Sequence, residues 1–272
     1  MSIRRTALET LTEITEKGAY ANLTLKEALR GLEERDAKWG SAAVYTTLGH
    51  LLYIDHVIAA YTKGSIKPQI RGILRLGVCQ VLYMGVPDSA ACNESVKLAK
   101  EIGKGPLSGF VNGVMRNICR NKDNPPPLPG EPVKRLSIQY SYPEYLVKEY
   151  MGQYGAGFTE AMLSAMSDPG CMTVRAQYPY TSEQLEKALE ERSIGFSRGR
   201  IVEDAFKLEK GFDVTKEPLF TEGRITVQSE SAMLVCRALE PKEGMHILDV
   251  CAAPGGKSAY IASLTQGGAV ID

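Results

Sequence analysis

The segment Asp249-Val250-Cys251-Ala252-Ala253-Pro254-Gly255-Gly256-Lys257-Ser258 has the residue types and spacing that could do chemistry. It stands where an apolar strand, His246 to Val250, hands over to a helical pattern running to about Leu264. At such a junction the first amides of the helix point outward unpaired, and adjacent glycines let a ligand approach the backbone closely. The chemistry suggested is the binding of a cofactor with anionic or polar groups. Cys251, Ala252, Ala253, Pro254, Gly255, Gly256 and Lys257 are the candidate cofactor-binding residues, and Asp249 either caps the turn or touches the cofactor. Two other glycine loops do not fit: a phosphate-binding P-loop needs Gly where Cys251 stands, and a dinucleotide fingerprint needs G-x-G-x-x-G. Nucleotide hydrolysis is disfavoured on the same ground.

A strand, the loop, a helix and a second strand at Ala269-Val270-Ile271 make one βαβ unit to hold this turn. Ahead of it, Ile3 to about Arg120 reads as all helical, with Ala7, Leu8, Leu11 and Ile14, then Ile70, Ile73, Leu74 and Val81, at helical spacing. Gly18 follows the first helix, Asp36 can cap the third, Pro68 suits a first turn, and Gly85 to Pro87 interrupts the pattern. The proline-rich break from Asn121 to Pro132 favours an extended, stiff segment and marks a domain boundary. Beyond it come a helix over Tyr142 to Met151 and strands over Met172 to Ala176, Phe206 to Leu208 and Ile225 to Gln228. A capping box at Thr181 to Gln184 opens a helix with Leu185, Ala188 and Leu189 inward, and another helix covers Ser229 to Leu239. The expected division is therefore a helical domain (1–122), a linker (123–133), a small α+β domain (134–240) and the start of an α/β domain (241–272).

Composition narrows the function classes. At 44% apolar and 24% charged the chain reads as ordinary and globular, and no apolar run is long enough for a membrane span. The start leads into an amphipathic pattern, which reads as cytoplasmic. The six cysteines include no C-x-x-C pair, and His50, His56 and His246 lack ligand spacing, so neither a disulfide framework nor a metal is expected. Lys+Arg and Asp+Glu both number 32, so any nucleic-acid site must be a local cluster. Lys97, Lys100 and Lys104 at i, i+3 and i+7, with Arg116 and Arg120 at i, i+4, could follow an RNA backbone, although a solvated face is the commoner use of such rows. Arg71 and Arg75 are equally open.

The loop from Asp249 to Ser258 resembles the S-adenosylmethionine loop of RNA 5-methylcytosine methyltransferases. Gly223 to Ser231 is similar to the segment preceding that loop in the same enzymes, with Ser229 where Asp is usual. Arg75 to Met84 and Gly109 to Arg116 look like the NusB-like domain of the RsmB/Sun (Fmu) family, which methylates 16S ribosomal RNA. The resemblance implies a NusB-like all-helical RNA-binding domain, a small α+β (RRM-like) RNA-binding domain, and the first βαβ unit of a Rossmann-like methyltransferase domain: a multidomain α plus α/β chain. It implies S-adenosyl-L-methionine as cofactor, 16S ribosomal RNA as partner, and a monomer without membrane or metal. Arg175 matches an arginine of the family and joins the RNA-contact candidates, while Ala176 stands where Asn is usual.

In that family a Cys thiolate adds to C6 of cytosine, C5 takes the methyl group, and loss of the C5 proton frees the enzyme. The nucleophile and the Cys that assists release would both fall beyond residue 272, so the resemblance leaves no catalytic residue here and an inactive chain as written. Cys251, inside the cofactor loop, does not replace them. With only two strands and one helix of a parallel sheet, residues from about 246 onward are expected to be poorly stable or to pack on the middle domain. The contrasting expectation is a non-catalytic NusB-like RNA-binding module with a vestigial cofactor loop.

Overall fold

The computed structural model describes residues 2–168, 170–209 and 212–272. Two compact units divide the chain at 168/169.

The first unit is helical. It contains α1 (Ile3–Lys17), α2 (Ala21–Ala28), α3 (Glu34–Gly49), α4 (Leu51–Ala60), α5 (Pro68–Leu82), α6 (Asp88–Glu101), α7 (Ser108–Arg120), α8 (Pro132–Tyr140), α9 (Glu144–Tyr154) and α10 (Ala156–Ser167). Ser2 caps α1 by accepting from the Arg5 amide, and Gly18 ends it at φ 71°. Pro68 opens α5 as expected, but α3 begins at Glu34, so Asp36 lies in its first turn and is not the cap. The axis of the unit is α5, whose Ile70, Ile73, Leu74, Leu76, Val78 and Cys79 are all buried. Two glycines let neighbours come close: a Cβ on Gly72 would lie 2.6 Å from Leu8 Cδ1 of α1, and one on Gly77 2.6 Å from Ser95 Oγ of α6 and 2.7 Å from Met115 Sδ of α7. Arg75, open as an RNA contact, is buried and forks onto Asp55.

The proline-rich segment breaks the helical pattern but does not separate compact units. After it α8 returns onto α4, where Tyr53 N donates to Ser141 Oγ at 3.3 Å and His56 Nε2 meets the Pro127 carbonyl at 3.2 Å. A small core of Leu136, Val147 and Leu163, with the Arg135–Glu160 fork, joins α8, α9 and α10. By compactness the helices through Ser167 group with the first unit, whereas the expected α+β domain spans 134–240.

The second unit begins with β1 (Thr173–Ala176), α11 (Ser182–Glu191), β2 (Phe196–Arg198), β3 (Phe206–Leu208), α12 (Pro218–Thr221) and β4 (Ile225–Val227). The strands form an antiparallel sheet in the order β2-β3-β1-β4, the split β-α-β arrangement of ferredoxin-like folds. Val174, Leu185, Leu189, Phe206, Leu208 and Leu219 fill its core, and Thr181 with Gln184 makes the expected capping box. Then come α13 (Glu230–Ala238), β5 (His246–Ile247), α14 (Gly256–Leu264) and β6 (Val270–Ile271), with β5 and β6 parallel. This βαβ piece packs on α13 and the 202–205 loop through Val202, Ala205, Met233, Cys236, Tyr260 and Ile261. The strand expected over 246–250 is assigned over His246–Ile247, and Leu248 and Val250 are 72% and 82% exposed. Among the described residues no helix is long and apolar enough to cross a membrane.

Candidate cofactor-binding site

The parallel ladder carries the chain from β5 into the loop. Asp272 N donates to the Ile247 carbonyl at 2.9 Å and Asp249 N to the Asp272 carbonyl at 2.8 Å, which holds Asp249 beside its neighbour. Its carboxylate turns back on the loop, accepting from the Cys251 amide at 3.2 Å and from the Ser258 hydroxyl at 2.6 Å. The Ser258 hydroxyl, with the Cys251 amide, holds this carboxyl below its usual range. Of the two roles open to Asp249, the geometry supports shaping the turn.

The chain then passes through Cys251, Ala252, Ala253 and Pro254, all exposed, to Gly255, which at φ 98° takes a backbone conformation that side-chain-bearing residues rarely adopt. The Gly255 amide donates to the Ala252 carbonyl and closes the turn. No side chain caps α14, so the amides of Gly256, Lys257 and Ser258 face the loop without intrahelical acceptors. Exposed Lys257 adds a cation. Together these groups favour a ligand presenting a carboxylate or other oxygen acceptors.

Arg175 supports this turn from below. Expected among the RNA contacts, it is instead fully buried, because β1 is an interior strand and its side chain runs under α14. Nε donates to Gln228 Oε1 at 2.6 Å, Nη1 to the Ala176 carbonyl and Gln177 Oε1 at 2.9 Å each, and Nη2 reaches the Gly256 carbonyl at 3.4 Å. The guanidinium also lies over the Tyr260 ring, 4.9 Å from its centroid. Burial pushes its pKa down to about 10. Gln228, 7% exposed, accepts from Arg175 while its own Nε2 is buried without a partner among the described residues. Sequence reasoning missed Gln228 and the buried role of Arg175, since neither belongs to a periodic pattern.

The remaining candidates lie on the helical unit. Lys97 and Lys100 are exposed on α6, Lys97 pairing with Glu94 at 2.8 Å. Lys104 is not on their helical face, because α6 ends at Glu101 and Gly103 turns the chain at φ 73°. Arg116 and Arg120 are exposed one turn apart on α7. His50 stacks on Tyr83 with centroids 3.8 Å apart, and no group of residues able to hold a metal occurs among the described residues.

One acid in the second unit has a marked pH signature. Glu230, at the start of α13, accepts from Lys207 Nζ at 2.6 Å and from the Ile201 and Val202 amides, and this donor set, Lys207 first, lowers its pKa to about 2. A carboxyl lowered on folding adds stability above its unfolded pKa of about 4.3, and that stability is lost as pH falls towards 2. Hydrogen exchange across 196–209 should therefore accelerate between about pH 4.5 and pH 2. Glu230→Gln should flatten that dependence, and an unchanged profile in the variant would assign the acid sensitivity elsewhere.

Three family models match the chain: the NusB family over residues 1–120, the ferredoxin-like domain of RsmF/B-like methyltransferases over 142–215, and 16S rRNA methyltransferase RsmB/F over 236–271. A Bacillus subtilis (strain 168) protein described as a probable ribosomal RNA small subunit methyltransferase B is 37% identical over 271 residues, covering 97% of this chain and 60% of the relative. The ribosomal RNA small subunit methyltransferase B of Vibrio cholerae serotype O1 is 29% identical over 276 residues, covering 100% of this chain and 62% of the relative. The chain thus spans about three fifths of the length of these curated relatives. The solved structure of PH0851 is similar with a TM-score of 0.68, covering 99% of this chain and 62% of that one; at 20% identity the likeness concerns the fold alone.

Proposed function

The chain belongs to the RsmB/F family of 16S rRNA methyltransferases, and from that premise we propose that the whole protein transfers a methyl group from S-adenosylmethionine to C5 of a cytosine in 16S rRNA. The observation that carries the cofactor reading is the donor-rich mouth of α14. Three free amides, Lys257, and the unpartnered Nε2 of Gln228 beside Gly256 suit a cofactor that presents a carboxylate and hydroxyls. Bound there, S-adenosylmethionine would supply an electrophilic methyl group.

The residues of this chain would hold and orient that cofactor. Cys251, Ala252, Ala253, Pro254, Gly255, Gly256 and Lys257 form the cradle, Asp249 and Ser258 fix its turn, and Arg175 anchors the first carbonyl of α14. On the helical unit, exposed Lys100, Arg116 and Arg120 would engage the RNA backbone, a contact sensitive to salt. The protein would work as a cytoplasmic monomer without metal.

Titration calorimetry with S-adenosylmethionine tests the loop. Gly255→Val is expected to weaken binding by about tenfold or more, since a β-branched residue cannot adopt this φ without opening the turn. No saturable binding by the unsubstituted protein, or equal affinity in the variant, would sink the loop assignment. Transfer of a labelled methyl group to unmodified 16S rRNA, followed by bisulfite reading of the product, tests the reaction and the C5 position.

A further inference from the structure

At the other end of α14 from the cofactor loop lies a cleft of about 370 Å³ lined by Tyr178, Tyr180, Ser182, Asp204, Tyr260 and Leu264, among others. Its walls are built by hydrogen bonds. Tyr178 N donates to Ser263 Oγ at 3.3 Å, and the residue is 47% exposed with its ring against the turn at Gly267. Tyr180 is fixed by its hydroxyl on the Gln184 carbonyl at 3.0 Å and by Arg224 over its ring.

The polar group of the cleft is Asp204. Its Oδ2 accepts from Tyr260 Oη and Arg237 Nη2, both at 2.6 Å, while Oδ1, among the described residues, has only the Ser182 hydroxyl at 3.5 Å. Burial alone would raise this carboxyl, but the Tyr260 and Arg237 donors carry it below its usual range, so it stays ionised. Asp204, whose Oδ1 has lone pairs to spare, thus lines a cleft together with the exposed ring of Tyr178, and Arg237 balances its charge.

We propose that this cleft binds an unpaired nucleobase of the RNA substrate, stacked on Tyr178 and donating an exocyclic amine to Asp204 Oδ1. Single-stranded RNA is commonly read by aromatic stacking together with hydrogen bonds to base edges, and a carboxylate selects the amino-bearing edges of cytosine, adenine or guanine. Uracil offers one N–H flanked by two carbonyl oxygens, which the carboxylate repels. The inference rests on the RNA reading of the protein and adds a second contact, remote from the cofactor loop, on the α+β part of the same unit.

The test is binding of short single-stranded oligocytidylate and oligouridylate to the whole protein, alongside 16S rRNA. The expected result is tighter binding of oligocytidylate, weakened roughly tenfold by Tyr178→Ala and retained in Tyr178→Phe. Asp204→Asn should remove the preference between the two oligonucleotides, and the exposed Tyr178 pair keeps the test valid if Asp204→Asn fails to fold. Equal affinity for both oligonucleotides, or an unaffected Tyr178→Ala, overturns this inference while leaving 16S rRNA binding intact. Failure to bind 16S rRNA at all would overturn the RNA reading and this inference with it.

Discussion

Arg175→Met is expected to destabilise the second unit by about 3 kcal/mol and, at the same time, to weaken cofactor binding at the loop. The sign needs deciding, because a buried guanidinium is costly: burial pushes its pKa down to about 10, and the substitution relieves that desolvation penalty. Against this, Gln228 Oε1, Gln177 Oε1 and the Ala176 and Gly256 carbonyls all lose a charged donor, at about 1–3 kcal/mol for each buried group left unpaired. The losses outweigh the relief. Arg175→Lys keeps the charge but not the fork, and should recover about half of the stability. Urea unfolding of the protein, paired with calorimetric titration of S-adenosylmethionine, reads both effects. A methionine variant as stable as the original protein would mean that water or neighbouring amides replace the guanidinium.

The second large effect is expected at Arg75, whose side chain is 7% exposed and forks onto Asp55 at 2.8 and 2.7 Å while reaching Thr15 at 3.1 Å. These contacts tie α1, α4 and α5 at the centre of the helical unit. Arg75→Ala leaves Asp55 without its cation and opens space beside α5, a combination worth about 3–5 kcal/mol when a pair is fully buried. Asp55 is 34% exposed, so water recovers part of the loss and the expected cost is nearer 3 kcal/mol. The Asp55→Asn variant should cost less, because the amide still accepts one bond. A double-mutant cycle in thermal unfolding gives the pair energy directly, and a coupling near zero would show that packing of the Arg75 stem, not the ion pair, holds the helices.

Much of this was legible before the fold was described, where the signal was local. The capping box at Thr181, the proline start of α5 and the strand at Phe206–Leu208 depend on neighbours in sequence, and each falls where its pattern puts it. The loop after β5 was legible because glycine and proline restrict the backbone at fixed spacing. What stayed hidden was decided by distant packing. Strand β2, Phe196-Ser197-Arg198, has no alternation to mark it and exists because it pairs with β3. The fate of Arg175 was set by its place on an interior strand beneath α14, which no charge pattern reveals. The proline-rich segment looked like a domain boundary because it must be extended, yet extension does not prevent the next helix from docking back on α4.

The glycines of α5 constrain how the sequence can drift. A side chain at Gly77 would need room from Ser95 on one neighbouring helix and Met115 on another at once. Growth at 77 on its own overpacks both contacts, whereas smaller residues at 95 and 115 would first make the room it needs. Positions 77, 95 and 115, far apart in the chain, therefore share one packing constraint, and growth at 77 should be tolerated only together with change at the other two.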